Sequence, residues 1–150
     1  MDKLSDILEK MGITSGKVYT DKDRPPFKIN ESVNSSEKLD VINTILKAYK
    51  IKSKVKFNAD KNKAEYNVDT DTIVLRPKYK TMKEFLITLL HEIDHAKDAY
   101  KLGKKKYKFD YTTKGQLQID KGRDFHDDNP YEEKAERFGR KEYKKWIKKV

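Results

Sequence analysis

Apolar residues recur at helical spacing in four stretches of the chain, with side chains three and four positions apart, as on one buried helix face. The predicted helices span residues 2–11, 35–49, 81–102 and 130–150. Thr81 and Glu84 have the spacing of a capping box, and Gly103 suits the end of the same helix. Asn129 followed by Pro130 predicts the start of the last helix.

The apolar spacing changes to alternation between residues 54 and 76. Residues 54–57 and 66–68 alternate between apolar and polar side chains, and residues 73–75 form a denser apolar run. A polar turn at residues 69–71 predicts a hairpin over residues 64–76. Pro77 follows it and favours an edge position for the strand at 72–76.

Two regions show no clear period. Residues 13–34 carry glycines and prolines and predict an irregular connection, with room for a short strand at 16–20. Residues 104–128 are basic and aromatic, and the alternation at 107–111 predicts another strand. We find no repeat or linker, so residues 1–150 are predicted to form one α+β domain, with residues 1–34 as an irregular N-terminal extension.

Charge adds a candidate partner. The net charge is +10, and residues 101–150 contribute +7 of it. Lysines at 104–108 alternate in part with aromatic residues, and a second lysine group follows at 141–149. Such a surface can bind phosphates and stack bases, so nucleic acid is a possible partner.

Composition also limits the chemistry that the chain can carry. It contains no cysteine, which excludes disulfides, a thiol nucleophile and cysteine metal ligands. No stretch has the length and apolar character of a membrane span or signal peptide, so we expect a cytoplasmic protein. Any metal site must therefore use carboxylates and the three histidines, which are His91, His95 and His126.

The sequence His91-Glu92-Ile93-Asp94-His95 lies within the predicted helix 81–102. Residues four apart share a helix face, so His91 and His95 can bind one metal ion. Glu92 lies beside the first histidine, where a carboxylate can take a proton from an activated water. The motif therefore predicts a metal-dependent hydrolase with Glu92 as general base.

A catalytic zinc site needs a third protein ligand. Asp98 and Lys101 occupy the positions where one branch of these enzymes has a glycine and a third histidine, so that branch is excluded. The remaining candidates are carboxylates of the last helix, Glu132, Glu133 and Glu136. Glu132 could instead cap that helix, since it lies three residues after Asn129.

These residues resemble a known family. HEIDHA, followed about 35 residues later by NPYEEKAERFG, is similar to the zincin metallopeptidases whose third ligand is a glutamate. The closest likeness is to ImmA/IrrE-like peptidases and zincin-like proteins of phages and mobile elements. The resemblance covers about residues 55–145, without the loop 103–128, and departs from the family pattern at Asp94 and Glu136.

The resemblance implies a zincin-like fold, in which a small twisted sheet packs on the active-site helix and a C-terminal helix carries the ligand. It places the third ligand on Glu132, in an E-x-x-A-x-x-F segment. Glu133 is the main competitor, because a sequence places a helix cap only to within a residue or two. It implies Zn²⁺, a peptide or protein substrate, and a bacterial or phage-infected host cell. A substrate could add to the strand 72–76 as a further strand.

Several further residues are weaker candidates. His126 could support a ligand or donate to a developing oxyanion, but an exposed loop histidine is the simpler interpretation. Tyr107, Tyr111 and Tyr131 are further candidate oxyanion donors. The alternative to a peptidase is a basic module that binds nucleic acid or protein on the same scaffold, with a metal that only stabilises the fold.

Overall fold

The structure is a computed structural model that describes residues 32–60 and 63–150. The helix predicted at 2–11 and the strand predicted at 16–20 lie outside the described residues. The described helices are α1 Leu39–Ala48, α2 Met82–Leu102, α3 Lys104–Asp120 and α4 Pro130–Trp146, with a 3₁₀ turn at Ser35–Lys38. The strands are β1 Val33–Asn34, β2 Lys54–Phe57, β3 Glu65–Asn67, β4 Thr72–Leu75 and β5 Lys78–Tyr79.

The three-stranded sheet has the order β2-β4-β3. β3 and β4 are antiparallel, which confirms the predicted hairpin, and β2 pairs with β4 in parallel. The prediction that residues 72–76 form an edge strand is wrong, because β4 has a partner on both sides. Pro77 lies beyond the last β4 residue, Leu75, so its missing N–H interrupts no ladder hydrogen bond. A separate two-residue ladder joins β1 and β5.

Helix α2 lies at the centre of the core. Its N-cap Thr81 accepts a hydrogen bond from the Glu84 N–H at 3.1 Å, and Gly103, with φ of +89°, ends it. The largest fully buried side chains of α2 pack with those of the sheet and of α1. They are Met82, Phe85, Leu86, Leu89, Leu90 and Ile93, against Ile73, Leu75, Ile42 and Ile45.

The prediction of a strand at residues 107–111 is wrong, because these residues lie within helix α3. Its inward positions, Tyr107, Tyr111, Gly115 and Gln118, have helical spacing but include only two apolar rings. Phe109, which completed the apparent alternation, is 73% exposed. The apparent alternation of aromatic residues therefore consists of two inward-facing rings, Tyr107 and Tyr111, with the solvent-facing ring of Phe109 between them.

Helix α4 buries a stripe with spacings of three and four residues, which faces α2 at Gly139 and hydrogen-bonds Tyr49, at the end of α1, through Glu142 and Trp146. The stripe consists of Glu132, Ala135, Gly139, Glu142 and Trp146. At Gly139 the helices approach so closely that a Cβ atom would lie 2.7 Å from the carbonyl oxygen of Ile87. Small residues at 135 and 139 thus bring α4 near α2, and the whole is a mixed fold compatible with the α+β prediction.

Among the described helices, none is long and apolar enough to cross a membrane.

Candidate metal centre

His91 and His95 lie one turn apart on α2, with ring centroids separated by 5.0 Å. Both direct Nε2 toward the start of α4. His95 is buried and His91 is partly exposed to the cleft. Helical geometry therefore places the pair as the motif predicts.

Glu132 provides the carboxylate between these rings. Its Oε1 lies 2.7 Å from His91 Nε2 and 3.1 Å from His95 Nε2. One ligand atom from each of these residues can be chosen so that all lie within 4.8 Å of one another, a group that could hold a metal ion. Of the three glutamates considered, Glu133 is exposed to solvent and Glu136 contacts the other nitrogen of His91.

The N-terminus of α4 is capped by Asn129 instead of by Glu132. The buried Asn129 side chain accepts a hydrogen bond from the Tyr131 N–H at 3.0 Å and donates to the Tyr111 carbonyl at 3.0 Å. This arrangement also ties α4 to α3. The Glu132 carboxylate is therefore directed into the centre while remaining near the positive end of the helix.

Glu136 supports His91 from the opposite side. Its Oε1 lies 3.1 Å from His91 Nδ1, and its Oε2 lies 2.8 Å from Arg140 Nε. A carboxylate on the distal nitrogen fixes ring orientation and favours Nε2 as the ligand atom. The sequence signal for this role was the four-residue spacing from Glu132, which places Glu136 one turn further on α4.

The electrostatics reflect this concentration of carboxylates and imidazoles. Burial alone would lower the pKa of His91, but the hydrogen bond to Glu132 and the neighbouring carboxylates raise it to about 9. Burial would raise the pKa of Glu132, yet hydrogen bonds from His126, His91 and His95 hold it far below its usual range. The same carboxylate that stabilises the proton of His91 can stabilise a metal ion, and a bound ion would displace that proton, because histidine binds a metal as the neutral ring.

Glu92 is buried beside the same cleft. Desolvation raises the pKa of its carboxyl, partly opposed by the nearby His95 and His91. Burial with access to the cleft is a suitable setting for a general base.

His126 and Tyr111 lie at the second oxygen of Glu132. Tyr111 donates a hydrogen bond to Oε2, and His126 Nε2 lies 3.1 Å from the same atom. His126 is an exposed loop histidine, as the simpler interpretation expects, but its Nε2 also reaches Glu132, which fits the alternative that it supports a ligand. Its hydrogen bond to Glu132, together with that to Asp127 and against the effect of burial, raises the pKa of His126 to about 9.

The other candidate tyrosines do not contact Glu132. Tyr131 donates to Asp110 Oδ2 at 2.5 Å. Tyr107 is buried but borders the cleft, where desolvation raises the pKa of its hydroxyl.

A cleft of about 570 Å³ opens onto this centre, within the range of small-molecule sites. β3 forms one wall, and α2, α3, the start of α4 and the loop that carries His126 form the others. Because β3 is the edge of its sheet on this side, its outer backbone groups face no further strand of the described sheet. An extended substrate that joins the sheet beside the centre would therefore pair with β3, and not with the strand 72–76 as predicted.

Two imidazoles and one carboxylate are donors that several divalent metals accept, and zinc enzymes use this set with a further position for water. No family model, curated protein or solved structure matches the chain significantly. The likeness to zincins therefore depends on the motif residues alone.

Proposed function

We propose that the chain is a zinc-dependent peptidase. The observation that carries the proposal is the convergence of His91 Nε2, His95 Nε2 and Glu132 Oε1 beside the buried Glu92, in an open cleft. A purely structural metal site is typically closed by four protein ligands, whereas three ligands facing a cleft favour catalysis.

In this proposal His91, His95 and Glu132 hold the ion, and Glu136 fixes the orientation of His91. Zinc, when bound, polarises a carbonyl group and lowers the pKa of a bound water to about 7. Glu92 takes the proton of the attacking water and then donates it to the nitrogen of the leaving amine. The edge of β3 would hold an extended substrate through main-chain hydrogen bonds.

The proposal is tested by metal content and hydrolysis together. We expect the purified wild-type protein to hold stoichiometric zinc and to cleave a mixed peptide library. Glu92→Gln should keep the zinc and lose cleavage, whereas His91→Ala should lose both. Wild-type protein that remains metal-free after incubation with zinc, or a Glu92→Gln variant with full activity, would contradict the proposal.

Nucleic-acid binding is the second candidate function. The contacts that α3 makes within the fold reduce the number of its residues that are free to bind a nucleic acid. Lys104 and Lys108 contact Asp69, and Tyr107 and Tyr111 face inward, so these residues are engaged within the fold. Lys105, Lys106 and Phe109 remain exposed together on α3. An exposed aromatic ring beside two lysines favours binding of single-stranded nucleic acid, because a base can stack on the ring while the lysines contact phosphates.

A salt titration of single-stranded DNA binding tests this second candidate. Binding through phosphates weakens steeply as salt concentration rises. Lys105→Gln with Lys106→Gln should reduce the salt dependence, and Phe109→Ala should weaken binding at every salt concentration. Weak binding that does not respond to salt would dismiss the candidate.

A further inference from the structure

The two oxygens of Glu132 have separate sets of partners. Oε1 lies between His91 Nε2 and His95 Nε2, at 2.7 and 3.1 Å. Oε2 accepts the hydrogen bond of the Tyr111 hydroxyl and lies 3.1 Å from His126 Nε2. One oxygen of the carboxylate thus contacts the candidate metal ligands on α2, and the other contacts two hydrogen-bond donors from another part of the chain.

Tyr111 is held firmly in this position. Its carbonyl accepts the Asn129 amide hydrogen bond, and its ring stacks on Tyr131 at 5.8 Å and contacts His95 at 6.2 Å. The packing around the ring therefore aims the hydroxyl at Glu132.

His126 is oriented by the loop that follows α3. Its Nδ1 lies 3.1 Å from Asp127 Oδ1, so Nε2 is turned toward Glu132. Asp124 Oδ2 accepts the N–H groups of His126 and Asp127 at 2.9 and 2.6 Å, which fixes the turn. The loop is anchored on α3 where the Phe125 ring lies over Gly115.

We propose that Tyr111 and His126 are positioning residues that occupy Oε2 of Glu132, so that the carboxylate binds a metal ion through Oε1 alone. This inference rests on the proposed metal centre. A carboxylate can bind a metal through one oxygen or through both. When the second oxygen is occupied by hydrogen bonds, one more position at the metal stays open for water and substrate, as a catalytic site requires.

A direct role on substrate is the competing explanation, because both residues border the cleft. A group that only stabilises a developing oxyanion affects turnover and leaves the metal site unchanged. A group that holds Glu132 affects the metal site itself, without any substrate. The two explanations therefore differ in the properties of the substrate-free protein.

The experiment measures Zn²⁺ affinity by chelator competition and the visible spectrum of the Co²⁺-substituted protein. The variants are Tyr111→Phe, His126→Leu and the conservative His126→Gln. Tyr131→Phe is the matched control, since its ring stacks on Tyr111 but its hydroxyl contacts Asp110. Thermal unfolding of each metal-free variant shows whether it is folded.

For Tyr111→Phe we expect Zn²⁺ affinity to fall about 10-fold, as for other partners of ligand side chains. Its Co²⁺ absorption should weaken as both oxygens of Glu132 enter the coordination sphere. His126→Leu should act in the same direction, His126→Gln should restore part of the affinity, and Tyr131→Phe should match the wild type.

Unchanged Zn²⁺ affinity and Co²⁺ spectra in folded Tyr111→Phe and His126→Leu would overturn this inference, whatever happens to turnover, and would leave the proposed function standing. A wild-type protein that binds neither metal would overturn the proposed function and this inference with it.

Discussion

Helices α3 and α4 have the same length, 17 residues each, and both flank α2, but they bury different kinds of side chain. α4 presents a regular stripe with small residues at its centre, and its backbone approaches α2 closely at Gly139. α3 presents tyrosines and a glutamine, and it leaves Phe109 and Leu117 exposed.

This difference separates two tasks. α4 delivers Glu132 and Glu136 to the histidines, so its distance from α2 determines the geometry of the centre. α3 and its loop supply hydrogen bonds around that centre and a wall of the cleft. Substitutions on the buried face of α4 should therefore affect the centre and the fold most, and those on the outer face of α3 should affect them least.

The largest effect is expected for the ligand position on α4. Glu132→Ala should reduce zinc affinity by more than about 100-fold, because it removes a ligand and not only a partner of a ligand. Glu133→Ala, on the adjacent exposed position, should leave the affinity unchanged. Competition with a chromogenic chelator measures both, and equal losses in the two variants would contradict the assignment of Glu132.

Substituting one glycine in each helix by alanine compares how closely α4 and α3 are packed against their neighbours. Gly139→Ala should destabilise the fold by about 1–3 kcal/mol, because its Cβ would meet the Ile87 carbonyl oxygen. Gly115→Ala should cost less, because its Cβ meets the ring of Phe125, a side chain that can move. Urea unfolding measures both free energies, and a larger loss for Gly115→Ala would reverse the comparison.

The ion pair between α4 and α2 should have a smaller effect. Lys134 Nζ lies 2.6 Å from Asp94 Oδ2 and 3.0 Å from Asp98 Oδ2, and Asp94 is buried. Lys134→Met leaves the Asp94 charge without this partner. We expect the free energy of unfolding to fall by about 1–2 kcal/mol, which is less than for a fully buried pair because Lys134 is half exposed. Lys144→Met, on the exposed face of α4, is the control in the same unfolding assay, and a loss equal to that of Lys134→Met would argue against the bridge.

The smallest effect is expected on the outer face of α3. Phe109→Ala should change the free energy of unfolding by less than about 0.5 kcal/mol, since the ring is mostly in solvent. A loss above about 2 kcal/mol would show that the ring packs against part of the protein, and the comparison of the two helices would need revision.

The same contrast explains how much the sequence could predict. α4 was predictable because its cap, its proline and its apolar spacing agree, and α2 because Thr81 and Gly103 mark its ends. The spacing within the motif also predicted that His91 and His95 share a face. These features depend on residues close together in the chain.

The features that were missed depend on contacts between distant segments. Residues 107–111 of α3 resemble a strand in their alternation, and nothing local contradicts it, because Tyr107 and Tyr111 pack on other aromatic rings and no aliphatic stripe marks that face of the helix. The central position of β4 depends on its pairing with β2, which local alternation cannot specify. The role of His126 depends on a loop that folds back over Gly115, and its neighbours in sequence are all polar except Phe125.

Glu132 lies 41 residues after His91 and 37 after His95, so the two halves of the centre meet only after α4 has docked. A metal ion bound by this arrangement and not by the unfolded chain stabilises the fold by mass action, by about 2.7 kcal/mol at 100 times its dissociation constant. In a chain without cysteine, the ion would then serve as the cross-link that a disulfide provides elsewhere. Removal of the metal should lower resistance to proteolysis as well as activity, and the first cleavages should fall where α4 separates from α2.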